Sequence, residues 1–241
     1  MTRQILLNSL LLTILFATCL AIASPSLAAE KNKDVLEPGF KPIFNGKDLT
    51  DWKGKPDVWF VEDGTLTGIS TPEKPCKKAT YLIWQGKPVG DFELRFSYRL
   101  NAGNSGMNFR SRELPGFEIA GYQADIEAGP NYTGIIYDVC GRKIMSTRGQ
   151  KMTIDPDGRR HVEQVADAKK LGKKIKSGNQ WNDYQIIARG NHIILKVNGE
   201  VMTELIDNEK NIPRKGIFSL QLHPGPFMKV QYKNIRLKRM D

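Results

Sequence analysis

The sequence predicts an all-β protein, a two-sheet antiparallel β-sandwich of the jelly-roll kind. Three observations carry the prediction. Residues 92–100 alternate apolar and polar side chains without a break, the period of a strand buried on one face. Asp63-Gly64 and Asn198-Gly199 stand between strand-like runs, where they supply the positive φ values that tight hairpins need. About a dozen such runs follow one another and a single segment suits a helix, a proportion that fits a sandwich.

The N-terminus reads as an export signal. Arg3 makes the leading region positive, residues 5–22 are almost wholly apolar, and Ser26 and Ala28 occupy the −3 and −1 positions of a cleavage site, so residues 1–28 are expected to be a signal peptide. The alternative is an uncleaved membrane anchor, because the apolar run approaches spanning length. A lipoprotein signal at Cys19 is disfavoured, since Thr18 stands where a small residue is wanted. Residues 29–39 form a polar leader and residues 40–241 one domain, a size ordinary for a single large sandwich. The expected location is secreted or periplasmic, with no stable membrane insertion after cleavage.

Without Arg3 the chain carries 35 basic and 26 acidic residues, a net charge of +9. The excess sits largely in Lys169, Lys170, Lys173, Lys174 and Lys176 and in Lys233, Arg236, Lys238 and Arg239. Runs of this kind without interleaved aromatics are solvated faces, which argues against nucleic acid and leaves contact with anionic surface polymers open. Cys76 and Cys140 remain after cleavage. An oxidising compartment permits a bridge between them, and two separate thiols fit equally.

Along the mature chain, residues 40–52 place apolar anchors on either side of Asn45-Gly46, a β pattern with a turn. Residues 59–62 and 65–68 form a hairpin about Asp63-Gly64. Residues 81–84 read as a short buried strand. In residues 92–100, Phe92, Leu94, Phe96, Tyr98 and Leu100 share one face. After the turn 103–106, alternation sets Asn108 and Arg110 opposite Met107 and Phe109, and sets Gln123, Asp125 and Glu127 opposite Ala124 and Ile126. Residues 134–138 make another strand. Residues 162–177 are lysine-rich with poor β periodicity, and form the one candidate helix or long excursion. Residues 184–189, 191–197 and 200–205 make a meander with type I′-like turns at Gly190-Asn191 and Asn198-Gly199, and residues 216–223 with 228–237 close the chain.

In this order, the segments 44–52 (Phe-Asn-Gly-Lys-Asp-Leu-Thr-Asp-Trp), 103–110 (Gly-Asn-Ser-Gly-Met-Asn-Phe-Arg), 121–126 (Gly-Tyr-Gln-Ala-Asp-Ile) and 181–184 (Trp-Asn-Asp-Tyr) resemble the 3-keto-disaccharide hydrolase domain family. So do Asn198-Gly199, Leu220-Gln221-Leu222-His223 and residues 232–236 (Tyr-Lys-Asn-Ile-Arg). The resemblance runs from about Phe40 to Leu237. It implies a concanavalin A-like lectin/glucanase sandwich, export, and action on sugars oxidised at C3.

Chemistry on such a sugar needs a base near C2, a donor or Lewis acid at the enediolate oxygen, and an acid at the glycosidic oxygen. Arg110 is the expected donor, on the strand face it shares with Asn108. Asp125, Glu127 and His223 compete for the role of base. His223 occupies the family's histidine position, and a neutral imidazole suits proton abstraction near pH 7. Glu118 is a second candidate carboxylate, Gln123 shares the acidic face, and Tyr122 and Trp181 are candidate sugar-stacking rings. No cofactor is required, although Asp125, Glu127 and His223 could together hold a divalent cation. His161 and His192 have no zinc spacing with one another or with His223. The expected activity is cleavage of 3-keto-disaccharides or 3-keto-glycosides. One alternative is a non-catalytic carbohydrate-binding module, since fold alone does not settle function. Another is a glycosidase of ordinary sugars using two carboxylates, although the Glu-x-Asp-x-x-Glu pattern of glucanases with this fold is absent.

Overall fold

The computed structural model describes residues 37–241. The expected signal peptide, the Cys19 question and most of the polar leader lie outside the described residues. The first strands are β1 (Lys41–Pro42), β2 (Trp52–Lys53), β3 (Trp59–Glu62), β4 (Thr65–Ser70), β5 (Thr80–Trp84) and β6 (Phe92–Leu100). The middle of the chain forms β7 (Asn104–Leu114), β8 (Glu118–Glu127), β9 (Ile136–Val139), β10 (Lys143–Ser146), β11 (Gln150–Ile154), β12 (Arg160–Gln164) and helix α1 (Ala168–Gly172). The last strands are β13 (Asn182–Arg189), β14 (His192–Val197), β15 (Glu200–Asp207), β16 (Ile217–Leu222) and β17 (Met228–Arg239).

Two sheets stack face to face. One has ten strands, running β12-β11-β15-β14-β13-β6-β17-β4-β3, with β1 on β17. The other has seven, in the order β10-β9-β8-β7-β16-β5-β2. Neighbours are antiparallel except that β11 runs parallel to β15. Alternation in β6 works as the sequence predicts, with Phe92, Leu94, Phe96, Tyr98 and Leu100 buried in the core between the sheets. Phe96 stacks on Tyr184 at 5.2 Å between ring centroids. Each such side chain contributes about 1.5–3 kcal/mol by leaving water, and truncating Phe96 to Ala would cost about 3–5 kcal/mol. From the opposite sheet, Met107, Phe109, Tyr122, Ala124, Ile126, Leu220 and Leu222 fill the same core.

Asp63 (φ 49°) and Gly64 (φ 70°), and Asn198 (φ 51°) and Gly199 (φ 87°), are both left-handed pairs, as type I′ turns require. At the other turn of the meander only Gly190 has positive φ, so the I′ expectation fails there. The opening segment holds less strand than expected. The Asn45 side chain accepts the backbone N–H groups of Lys47 and Asp48, and these bonds favour turn over ladder. Of residues 162–177, expected to form a helix or a long excursion, five form the helix α1, capped by Asp167, which accepts from Lys169 and Lys170 N–H. The residues before it pair with β11 as β12, an exposed edge strand whose charges discourage further pairing. Cys76 and Cys140 are free thiols.

Candidate functional site

The face of the seven-stranded sheet turned away from the core carries a groove of about 860 Å³. Register builds its floor. Gln221 on β16 lies beside Tyr81 on β5 and Gly106 on β7, and Gly106 lies beside Asp125 on β8. In the next row Ser219 pairs with Ile83 and Asn108, Asn108 with Gln123, and Gln123 with Tyr137 on β9. Strict alternation thus puts short polar side chains from three central strands side by side.

Gly106 makes the arrangement possible. A Cβ there would stand 2.7 Å from the Gln123 side chain, so its absence lets the Gln123 amide lie across β7. Gln123 Nε2 donates to Asp125 Oδ1 at 2.5 Å and to Gln221 Oε1 at 3.2 Å. Gln221 Nε2 donates to the Tyr81 hydroxyl at 3.1 Å, and Asn108 Nδ2 to Gln123 Oε1 at 3.1 Å. The line from Tyr81 to Asp125 is a continuous hydrogen-bonded floor. Among the described residues, Asn108 Oδ1 and Ser219 Oγ beneath it are buried without hydrogen-bond partners. A small apolar cluster of Tyr81, Ile83 and Ile119 borders the floor.

Asp125 is 6% exposed. Burial, opposed by the Gln123 hydrogen bond and reinforced by the nearby Glu127 charge, pushes its carboxyl up to about 7. A group balanced between acid and base near neutrality suits proton transfer. Burial likewise pushes the Tyr81 phenol up to about 12, so it stays protonated. Glu127 lines the groove, but one of its oxygens is committed. Oε2 accepts N–H groups from Asn131 and Tyr132, both at 2.9 Å, and so anchors the loop after β8.

His223 stands exposed at the groove's edge, with Nδ1 2.6 Å from the Pro224 carbonyl oxygen. A carbonyl only accepts, so Nδ1 carries the proton and Nε2 holds the lone pair of the neutral ring. Glu118 lines the groove, ion-paired with Lys78. The groove therefore gathers Glu118, Gln123, Asp125, Glu127 and His223 as expected, with Asn108 under the floor.

Three expected site residues are elsewhere. Arg110 has φ 46° and sits at a bulge, where the pairing of β7 with β8 slips between Phe109 and Arg112. The extra residue breaks the alternation that would have set it beside Asn108. Its guanidinium is 1% exposed, donating to the carbonyls of Gly90 and Gly190 and pairing with Asp91 at 3.1 Å. It ties loops together and does not face the groove. Tyr122 is wholly buried, stacked on Phe109 and donating to Asp207 at 2.6 Å. It shares the core face of β8 with Ala124 and Ile126, so it is no sugar platform. Trp181 lies beside the ten-stranded sheet, under Lys233 and Arg99. Nor do Asp125, Glu127 and His223 form a ligand set: among the described residues no three His, Cys, Asp or Glu side chains converge as a metal site.

The groove supplies residues that sequence reasoning missed. Tyr132, 43% exposed, and Tyr137 are the aromatic rings available to a sugar, and Lys143 is a cation without an ion-pair partner among the described residues. Gln221 was readable by alternation, since it shares a phase of its strand with Ser219 and His223, whereas Tyr81 lies in an unbroken apolar run. Tyr132 lies in an irregular loop and gave no such signal.

A lectin-type sandwich with a polar, aromatic-rimmed groove across one sheet is the class that this fold and site define. The chain belongs to the 3-keto-alpha-glucoside-1,2-lyase-like domain family, whose model matches residues 39–238. Solved structures share the architecture. A candidate glycosyl hydrolase from Parabacteroides distasonis ATCC 8503 superposes with a TM-score of 0.58 at 18% identity, covering 86% of this chain and 99% of its own. A Bacillus subtilis protein of unknown function with a galectin-like fold gives 0.52 at 12% identity, over 83% and 94% of the two chains. The carbohydrate-binding module CBM66 from Bacillus subtilis gives 0.50 at 13%, over 78% and 96%. No curated protein matches the sequence. Among the described residues no helix is long and apolar enough to cross a membrane.

Proposed function

We propose that the groove binds a 3-keto-glycoside and breaks its glycosidic bond by elimination. The observation that carries this reading is Asp125, a buried carboxyl poised near neutrality on the floor of a sugar-sized groove, in a chain of the 3-keto-glucoside lyase-like family. The ketone at C3 acidifies the hydrogen on C2. Asp125, as the carboxylate, takes that proton, and the C–H electron pair moves into C2–C3 as the C3 oxygen becomes an enolate. The C3 carbonyl then re-forms, C1 and C2 become doubly bonded, and the C1–O bond breaks with its electrons leaving on the aglycone oxygen. His223, protonated, supplies that oxygen with its proton. Water adding at C1 completes net hydrolysis.

Lys143 is the charged donor for the enolate oxygen in this reading, in place of Arg110. The Gln123 amide fixes the orientation of Asp125, and Tyr132 stacks against a pyranose face. Export through the N-terminal signal would bring the protein to extracellular or periplasmic glycosides, and N-terminal sequencing of the mature form should begin at Ala29.

The deciding experiment incubates the protein with a 3-keto-glucoside in D2O, with and without chelator, and follows products by mass spectrometry. Cleavage with deuterium gained at C2 supports the reading. Saturable binding of unoxidised glycans, with the 3-keto substrate unchanged under every condition, would establish a carbohydrate-binding module instead. The half-exposed Tyr132 at the groove's rim serves that second reading equally well.

A further inference from the structure

A second cavity, of about 770 Å³, opens beside the first, and Glu127 and Gly129 line both. Its size lies in the range of small-molecule sites. Lys169, Lys173 and Lys176 line it, all exposed, and none forms a salt bridge among the described residues, whereas the neighbouring Lys174 pairs with Glu200 at 3.1 Å. Arg148 adds a fourth cation. It is 9% exposed and its guanidinium holds the carbonyls of Pro130, Thr133 and Ala168, bracing the loop and helix that form the walls.

Tyr98 also lines the cavity. Tyr98 is 2% exposed, and its hydroxyl, set against Thr133, makes no close hydrogen bond among the described residues. Glu127 is the lone acid in the lining, and its Oε2 is taken by backbone N–H groups. Four cations around one cavity repel one another, and a bound anion relieves that repulsion. A buried hydroxyl without a close partner is a ready donor to the same ligand.

We propose that this cavity is an anion-selective subsite, which takes a carboxylate- or sulfate-bearing sugar linked to the sugar in the main groove. The inference rests on the main groove being a sugar site, since the shared wall at Glu127 and Gly129 is what would let one chain occupy both.

Calorimetry tests it with three disaccharides of one linkage: glucosyl-glucose, glucuronyl-glucose and a 6-sulfated glucosyl-glucose. The wild-type protein should bind a charged member about tenfold more tightly than the neutral one at low salt, with the preference shrinking in 0.5 M NaCl. Which charged member is preferred identifies the carboxylate or the sulfate as the ligand group. The triple variant K169Q/K173Q/K176Q should lose the preference, and Tyr98→Phe should reduce it about threefold. No preference in the wild-type protein, or a preference that survives the triple substitution in a variant with wild-type melting, overturns the subsite. Preference without turnover of a 3-keto substrate supports the subsite and counts against the elimination reading. Turnover without preference overturns the subsite and leaves that reading intact.

Discussion

Replacing Asp125 by Asn probes the base and the fold together. Asn keeps the size and the oxygen that accepts from Gln123 Nε2, and removes only the ability to ionise. In the unfolded chain the carboxyl titrates near 3.8, whereas in the folded protein it holds its proton until about 7. Between those values the unfolded state binds fewer protons than the folded one, so stability is fully present below pH 4 and falls as pH rises. The gap corresponds to about 4 kcal/mol. The Asn variant lacks this loss, so its stability relative to wild type should rise by about 4 kcal/mol from pH 4 to pH 8. For a domain of this size that is a relative gain of about 10 °C in Tm. Urea melts of both proteins at pH 4.5, 6 and 8 measure it. Activity should move oppositely: wild-type kcat/KM rises with pH through about 7 as Asp125 ionises, and the Asn variant falls about 10²–10⁴-fold. Parallel stability profiles would refute the burial argument, and full turnover by the Asn variant would refute the base.

Gly106→Ala should drive the Gln123 amide off its seat, costing about 1–3 kcal/mol and lowering kcat/KM on a 3-keto-glucoside, measured by thermal melts and product assay. Arg110→Met leaves the Gly90 and Gly190 carbonyls without their buried donor and should destabilise by about 1–3 kcal/mol, while the folded protein keeps its kcat; a selective loss of kcat at full stability would return Arg110 to the site. Tyr132→Ala removes the exposed ring and should raise KM about tenfold with a smaller change in kcat. An unchanged KM in steady-state kinetics would remove the stacking role.

Much of the fold was legible because local rules and tertiary demands agree. Alternation in residues 92–100 named the core face of β6, and the Asp-Gly and Asn-Gly pairs located their turns, since each depends on one strand or four consecutive residues. Alternation also carried Gln123 and Asp125 to the groove, and the resemblance through the ordered motifs pointed to the family. Where it failed, one residue decided. The bulge at Arg110 shifts the phase of a strand by a single position, and a single shift moves a side chain to the other face. Tyr122, one position from Gln123, faces the core for the same reason that Gln123 faces the groove.

The sequence by itself determined the two-sheet architecture, the outward face of Asn108, Gln123 and Asp125, and the ordered motifs of the family, because these follow from period-two patterning and turn chemistry. Only the tertiary structure decided that Gly106 leaves space for the Gln123 amide, that burial raises Asp125 to near neutrality, and that Tyr132 and the 169–176 lysines meet cavities on either side of Glu127. Those facts depend on which strands become neighbours and on how much water each carboxyl loses, quantities set by contacts between residues far apart in the chain.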